Sequence, residues 1–159
     1  MPRDQRPLTI LLADDDPDDQ FLCKKALTAI GYVSNLLFVE DGEELLDYLR
    51  QSGKYAAGKQ QSPRPDLILL DLNMPKKDGR EALKEIKKDP DLKDIPVVIF
   101  TTSKAASDIR ATYELGANSF ITKPLAFNGL LEVMRSICQY WFEIVALPRD
   151  PNLKTSYRR

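Results

Sequence analysis

Residues 67–79 read LILLDLNMPKKDG, and this stretch decides the fold class. Its first four residues are apolar, Asp71 follows them directly, and the Lys-Lys-Asp-Gly segment at 76–79 predicts a turn. An unbroken apolar run of this length is typical of a strand that is buried on both faces of a parallel sheet. The stretch therefore predicts a buried strand that ends at an aspartate.

Four further apolar runs have the same character, and they lie at residues 8–13, 36–39, 97–100 and 119–121. Amphipathic stretches follow these runs at residues 17–30, 43–50, 80–88, 105–115 and 127–145. Strand and helix thus alternate five times along the chain, as they do in a doubly wound α/β domain. We expect a five-stranded parallel sheet with helices on both faces.

The chain of 159 residues fits one domain of ordinary size. We expect this domain at residues 1–147, with an extended last helix. Residues 148–159 are polar and contain two prolines, which predicts a loosely held tail. Residues 51–65 are rich in Gly, Gln, Ser, Lys and Pro, which predicts an exposed loop. This loop could contact a partner, but an insertion without a function is the simpler interpretation.

The composition limits the classes of function. The 23 Lys and Arg residues nearly balance the 24 Asp and Glu residues, so we expect a protein partner and no nucleic acid. The absence of histidine removes the most common general base and zinc ligand. No stretch approaches the roughly 20 apolar residues of a membrane span. Cys23 and Cys138 lie far apart among apolar residues, which predicts reduced thiols in the core of a cytoplasmic protein.

Three acidic residues, Asp14, Asp15 and Asp16, crowd the end of the first predicted strand. Two carboxylates 4 Å apart repel by about 4 kcal/mol at an effective dielectric near 20, so the cluster requires an explanation. Asp16 precedes Pro17, a favoured first helical residue, and is therefore predicted to cap the first helix. Asp14 and Asp15 lie too early to cap this helix. On these residues alone, a site for a hard divalent cation and a solvated loop are equally good interpretations.

Polar residues also follow the other strands. The third ends at Asp71, the fourth at Thr101, and the fifth leads into Lys123. Ligand sites in open α/β sheets lie beyond the carboxyl ends of the strands, so these residues are expected to converge with Asp14 and Asp15. Each residue alone is a weak signal, because most lysines, for example, are solvated. Together they meet the needs of phosphoryl transfer, in which the protein supplies position and charge neutralisation.

Four motifs together resemble those of receiver domains in two-component signalling. The motifs are LLADD at 11–15, LDLNMPKKDG at 70–79, FT at 100–101 and KP at 123–124, and the resemblance covers residues 8–139. It implies a flavodoxin-like receiver fold with the strand order 2-1-3-4-5. It also implies a stand-alone response regulator that accepts a phosphoryl group from a histidine kinase. Such a protein is not an enzyme in the usual sense, because it catalyses only its own phosphotransfer and dephosphorylation.

The resemblance implies a role for each residue at the strand ends. Asp71 would accept the phosphoryl group. Asp15 and Asp71 would bind Mg²⁺ directly. Asn73 would add its backbone carbonyl to this site, and Asp14 would act mainly through water. Lys123 would pair with Asp71 and then with the phosphoryl oxygens.

The resemblance also implies a conformational switch. Thr101 would turn its hydroxyl toward the new phosphoryl group and draw Phe120 inward, so that the fourth helix and the last strand shift. A cis peptide between Lys123 and Pro124 would aim the lysine into the crevice. The chain departs from many receivers at Thr102, where they have Ala or Gly. Water attack and small phosphodonors are therefore expected to be hindered.

The DDDPDD opening at 14–19, the insertion at 51–65 and the extended last helix resemble regulators that are partnered with cyanobacterial-type phytochromes. This likeness implies a sensor histidine kinase as partner, with a phytochrome-type kinase as the candidate. It also implies a homodimer through the fourth helix, the last strand and the last helix.

The last helix carries two apolar stripes, which bear on this dimer. We expect a core stripe that contains Leu130, Met134, Ile137, Trp141 and Ile144. We expect a second stripe, left exposed, that contains Leu131, Cys138, Phe142 and Val145. A second copy of the chain is favoured as its cover, and the tail at 148–159 is the alternative.

Three competing functions are weaker. A haloacid-dehalogenase-like phosphatase needs a second aspartate two residues after its nucleophile, and Asn73 stands there. Neither glycine-rich phosphate-binding motif of nucleotide-binding folds occurs. A DNA-binding regulator would need a helix-turn-helix after the receiver, and we expect none in residues 140–159.

Overall fold

The structure is a computed structural model that describes residues 8–31 and 35–148. The apolar runs form five strands: β1 (Thr9–Ala13), β2 (Asn35–Val39), β3 (Leu67–Leu70), β4 (Val97–Thr101) and β5 (Ser119–Thr122). They pair in parallel in the order β2-β1-β3-β4-β5. The predicted fold class and strand order are confirmed. Every residue of the three central strands is buried, which explains why their apolar runs do not alternate.

Five helices cover the sheet: α1 (Pro17–Ile30), α2 (Gly42–Arg50), α3 (Gly79–Lys88), α4 (Ala106–Leu115) and α5 (Phe127–Gln139). Buried residues of α2 and α3 form one core on one face of the sheet. Buried residues of α1 and α5 form a second core on the other face. The chain is thus a three-layer α/β structure. No helix within its described residues is long and apolar enough to cross a bilayer.

Aspartate side chains start the first three helices. Asp16 accepts a hydrogen bond from the Asp18 N–H at 2.9 Å, and Pro17 is the first helical residue, so the predicted cap is confirmed. Asp41 caps α2 in the same way, and Asp78 caps α3 in a capping box with Glu81. Each cap ends a strand-to-helix loop. The caps therefore fix the loops that frame the carboxyl edge of the sheet.

The predicted loop at 51–65 is mostly exposed but is anchored to α2. It contains a short 3₁₀ helix, Gly53–Tyr55, whose Tyr55 side chain is buried. The Tyr55 hydroxyl donates to Glu44 at 2.7 Å, and the Tyr48 hydroxyl donates to the Pro63 carbonyl at 2.8 Å. Two aromatic side chains thus hold the insertion against the body of the domain.

Both cysteines are free and buried. Burial raises the pKa of each thiol, Cys23 and Cys138, to about 12. The thiols are therefore neutral, and they pack as small apolar groups.

The prediction for the last helix is wrong in part. The α-helix ends at Gln139, and a π-helical turn, Tyr140–Ile144, follows it. Phe142, expected to be exposed, is 3% exposed, whereas Ile144, expected in the core, is 64% exposed. The wider turn, closed by a bond from the Val145 N–H to the Tyr140 carbonyl, shifts which side chains face the core.

Within α5 itself, the buried face also differs from the two predicted stripes, for a second reason. Helix α5 packs against α1 as well as against the sheet, so it buries a wider face than one stripe. Cys138 is therefore buried beside Met134 and Ile137, and Leu131 is half-buried. The tail expected at 148–159 lies outside the described residues except for Pro148.

The π-helical turn predicts unequal effects of two substitutions. Phe142→Ala should lower the free energy of unfolding by about 3 to 5 kcal/mol, because it opens a cavity in the core. Ile144→Ala should change it by less than about 0.5 kcal/mol, because its side chain is on the surface. Urea unfolding measures both. Equal effects would show that the π-helical turn is absent.

Candidate functional site

The predicted residues converge at the carboxyl edge of the sheet. Asp14 and Asp15 follow β1, Asp71 follows β3, Thr101 ends β4, and Lys123 follows β5 directly. Because β1, β3, β4 and β5 are parallel, all of these positions lie at one edge. The result is a small crevice with aspartates on one side and a hydroxyl and an ammonium on the other.

The Asp71 carboxylate is 8% exposed and is held by three donors. The fully buried Thr101 hydroxyl donates to its Oδ1 at 2.8 Å. Lys123 Nζ lies 3.1 Å from its Oδ2, and the Asn73 N–H donates to Oδ1 at 3.3 Å. The predicted pairing of Lys123 with Asp71 is thus present, and the Thr101 hydroxyl, expected to turn toward a phosphoryl group, already contacts Asp71. They fix the direction in which the carboxylate faces the crevice.

Asp14 is fully buried and serves as the main partner of Lys123. Lys123 Nζ lies 2.7 Å from Asp14 Oδ2, and the Asp16 N–H donates to Oδ1 at 3.0 Å. Burial raises the pKa of Asp14 above its usual value, although the bond from Lys123 opposes this effect. Asp15, in contrast, is exposed at the mouth of the crevice.

Asp19 belongs to the site, although the sequence analysis gave it no role there. Its Oδ2 lies 2.8 Å from Lys123 Nζ, so one ammonium contacts three carboxylates. Burial acts to lower the pKa of Lys123, but hydrogen bonds from Nζ to Asp14 and Asp19 raise it above its usual value. Lys123 is therefore a permanent cation at neutral pH. The signal for Asp19 was its position in the first turn of α1, the turn that Asp16 caps beside the crevice.

The acidic residues suit a divalent cation. Asp14, Asp15 and Asp71 each offer an oxygen, and these oxygens lie within 4.8 Å of one another. Carboxylate oxygens are the ligands that hard cations such as Mg²⁺ prefer. Lys123 neutralises one charge, which leaves an excess of negative charge in the crevice. The donor set therefore fits a hard divalent cation.

The expected cis peptide between Lys123 and Pro124 is wrong, because this bond is trans. The Lys123 N–H donates to the Thr101 carbonyl at 2.7 Å and so continues the pairing of β5 with β4 by one residue. From that position the lysine side chain already reaches Asp71.

Phe120 lies on the edge strand β5 and outside the crevice. Its side chain is half-buried and packs against the core that α2 and α3 cover. Its N–H donates to the Tyr113 hydroxyl of α4 at 3.2 Å. Thr102, the residue after the buried Thr101, is exposed.

Comparisons with known proteins agree with this geometry. The family model described as the response regulator receiver domain matches residues 10–135. Response regulator Rcp1 of Synechocystis sp. (strain ATCC 27184 / PCC 6803 / Kazusa) is 44% identical over 142 residues, which are 89% of this chain and 94% of Rcp1.

Two solved structures are similar over most of the chain. The phosphorylated cyanobacterial phytochrome response regulator RcpA is 43% identical with a TM-score of 0.82, and the match covers 90% of this chain and 99% of RcpA. The Mn²⁺-bound form of Rcp1 is 44% identical with a TM-score of 0.81, over 89% of this chain and 99% of that structure.

Proposed function

Because the chain belongs to the response regulator receiver family, we propose that it accepts a phosphoryl group from a histidine kinase on Asp71 in a Mg²⁺-dependent reaction. The observation that carries this proposal is the Asp71 carboxylate, held between the Thr101 hydroxyl and the Lys123 ammonium and beside two further aspartates. A carboxylate nucleophile, a fixed cation and a site for a metal are the parts that phosphoryl transfer needs.

In the proposed reaction an oxygen of Asp71 forms a bond to phosphorus while the bond from phosphorus to the histidine nitrogen breaks. The electron pair of the broken bond stays with the imidazole, and an acyl phosphate forms on Asp71. Lys123 balances the charge on the transferred oxygens because its ammonium is fixed beside Asp71. The Thr101 hydroxyl, already 2.8 Å from Asp71, donates to the same group.

Asp15, Asp71 and the backbone carbonyl of Asn73 would hold the Mg²⁺ ion, and Asp14 would act through water. The separate role of Asp14 is supported by its burial, because Asp14 is fully buried whereas Asp15 is exposed at the mouth of the crevice. When bound, the ion neutralises negative charge on the phosphoryl oxygens. The Mn²⁺-bound form of Rcp1 supports a divalent cation in this family.

The proposed output is a shift of α4 and β5 after phosphorylation. Thr101 is the last residue of β4, and Phe120 lies on the neighbouring strand β5, in register with Ile99, two residues before Thr101. The bond from the Phe120 N–H to Tyr113 joins β5 to α4. A change in the position of the Thr101 hydroxyl would therefore alter the surface that α4 and β5 form. Thr102, which is exposed and directly follows Thr101, is expected to slow attack by water and so to lengthen the life of the acyl phosphate.

The proposed partner is a sensor histidine kinase in the cytoplasm, with a phytochrome-type kinase as the candidate. RcpA is a cyanobacterial phytochrome response regulator and resembles this chain over 90% of its length. Exposed apolar residues on both sides of the crevice, Phe21 and Leu22 on α1 and Leu125 after β5, suit a protein that approaches Asp71. The free, buried thiols fit a reducing compartment.

We also propose a homodimer through α4, β5 and α5. The edge strand β5 lies beside an open groove of about 460 Å³, which Ile121 and Trp141 line in part. Tyr140 also lines the groove and is exposed, and α4 carries a further exposed aromatic residue, Tyr113. An open edge strand with apolar neighbours is a typical site of self-association.

Replacement of the acceptor tests the reaction. Asp71→Asn should abolish phosphorylation by a cognate histidine kinase without loss of the fold, because the amide keeps the shape but cannot form the acyl phosphate. Transfer of labelled phosphate from a panel of purified kinases measures this, and Asp91→Asn, an exposed aspartate, is the control. Label that persists in Asp71→Asn would contradict the assignment.

Titration calorimetry tests the division of roles at the metal site. Asp15→Ala should weaken Mg²⁺ binding by more than Asp14→Ala, because the first would remove a direct ligand and the second a group that acts through water. Asp18→Ala, in the same acidic stretch but exposed on α1, should leave the affinity nearly unchanged. Equal losses for Asp14 and Asp15 would refute this division.

Sedimentation tests the dimer. We expect a dimer at micromolar concentration that Tyr140→Glu disrupts without unfolding the chain, because Tyr140 lines the groove and is exposed. Phe21→Glu places the same charge at an exposed site on α1, outside the proposed interface, and should leave the dimer intact. A monomer at every concentration, with or without phosphorylation, would rule out the dimer.

A further inference from the structure

A hydrogen-bonded network outside the crevice joins α3, the β4–α4 loop and α4. Arg80, in the first turn of α3, directs its Nη2 and Nε to Asp108 Oδ1 of α4 at 2.8 and 3.2 Å. The other oxygen of this carboxylate, Oδ2, accepts from the Ser103 hydroxyl at 2.7 Å. One carboxylate thus connects three elements. We call Arg80, Asp108 and Ser103 the latch.

Ser103 ties the latch to the loop that follows Thr101. Its hydroxyl accepts from the Ala105 N–H at 3.2 Å, and its carbonyl accepts from the Thr122 hydroxyl of β5 at 3.2 Å. Ser103 is only two residues from Thr101, whose hydroxyl contacts Asp71. The position of Ser103 therefore constrains the residue that touches the phosphoryl acceptor.

Helix α4 depends on the latch because little else fixes its start. Ala105 occupies the N-cap position, where no side chain satisfies the free N–H groups of the first turn. Thr112 is the only buried residue of this helix. A helix with so little buried surface is held mainly by its polar contacts.

The latch is strong for a contact near the surface. The Arg80 and Asp108 side chains are only 33% and 21% exposed, so solvent screens them incompletely. The hydrogen bond from Ser103 and the bond from Arg80 lower the pKa of Asp108 below its usual value. The carboxylate is therefore charged at neutral pH, and its bonds to both partners are charge-assisted.

We propose that Arg80, Asp108 and Ser103 are positioning residues, which hold the β4–α4 loop so that the Thr101 hydroxyl reaches the Asp71 carboxylate. This inference rests on the proposed function, because it gives Thr101 a role in phosphorylation of Asp71. Thr101 is fixed on one side by the bond from the Lys123 N–H to its carbonyl, and the latch fixes the chain on the other. Loss of the latch frees the loop and lets the hydroxyl turn away.

The rate of phosphorylation of Asp71 by a purified histidine kinase that labels the wild type, with Mg²⁺ present and followed by mass spectrometry, tests the proposal. Arg80→Ala and Asp108→Asn should each lower this rate by about three- to tenfold, a size typical of the loss of a coupled contact. Arg80→Lys should retain part of the rate, because lysine keeps the positive charge but lacks the planar guanidinium with its several N–H donors. Arg110→Ala and Glu114→Gln make the same charge changes at exposed sites on α4 and should have no effect.

A double variant separates positioning from a merely structural role. If the latch acts through the Thr101 hydroxyl, Arg80→Ala should have no further effect on the rate in a Thr101→Ala background. A purely structural role predicts that both substitutions lower the rate independently. Thermal unfolding shows whether each variant is folded. If Asp108→Asn is not folded, Ser103→Ala provides a milder variant of the latch.

The outcomes are distinguishable. A wild-type chain that takes no label on Asp71 from any kinase of the panel would overturn the proposed function, and this inference with it. A labelled wild type whose rate is unchanged in Arg80→Ala and Asp108→Asn, or independent effects in the double variant, would overturn the latch alone.

Discussion

The ammonium of Lys123 is the interaction on which the site depends. Asp14 is fully buried and Asp71 nearly so, and two carboxylates at such close range repel by several kcal/mol in a medium of low dielectric. Lys123 lies within 3.1 Å of both and of Asp19, and it compensates much of this repulsion. One cation cannot balance the charges of Asp14, Asp15, Asp19 and Asp71. The remaining negative charge in the crevice therefore favours the binding of a further cation.

Much of this arrangement follows from the sequence. Unbroken apolar runs predict buried parallel strands, and parallel strands bring the residues after them to one edge. Asp71, Thr101 and Lys123 were predicted to meet on this ground, and they do. The strand order could not be predicted in this way, because periodicity does not say which strands are neighbours. It came from the resemblance to receiver domains and agrees with the structure.

The failures have local causes that the sequence pattern does not contain. The phase of the last helix was wrong because a π-helical turn interrupts the regular period after Gln139. Asp19 was overlooked because an acidic residue in the first turn of a helix is already explained by the helix dipole. Its contact with Lys123 joins residues 104 positions apart, and such a pairing depends on the tertiary packing of α1 against α5.

The β4–α4 loop connects the crevice to α4, the helix with the fewest buried residues. At one end the loop is tied to the crevice through Thr101, and at the other it is tied to α3 and α4 through Asp108. Helices α1, α2 and α3 begin at capping aspartates, whereas α4 has no such cap and buries only one residue. A new charge on Asp71 acts first on Thr101. The helix that can respond at least cost is therefore α4, because its position rests on polar contacts that can rearrange without opening the core.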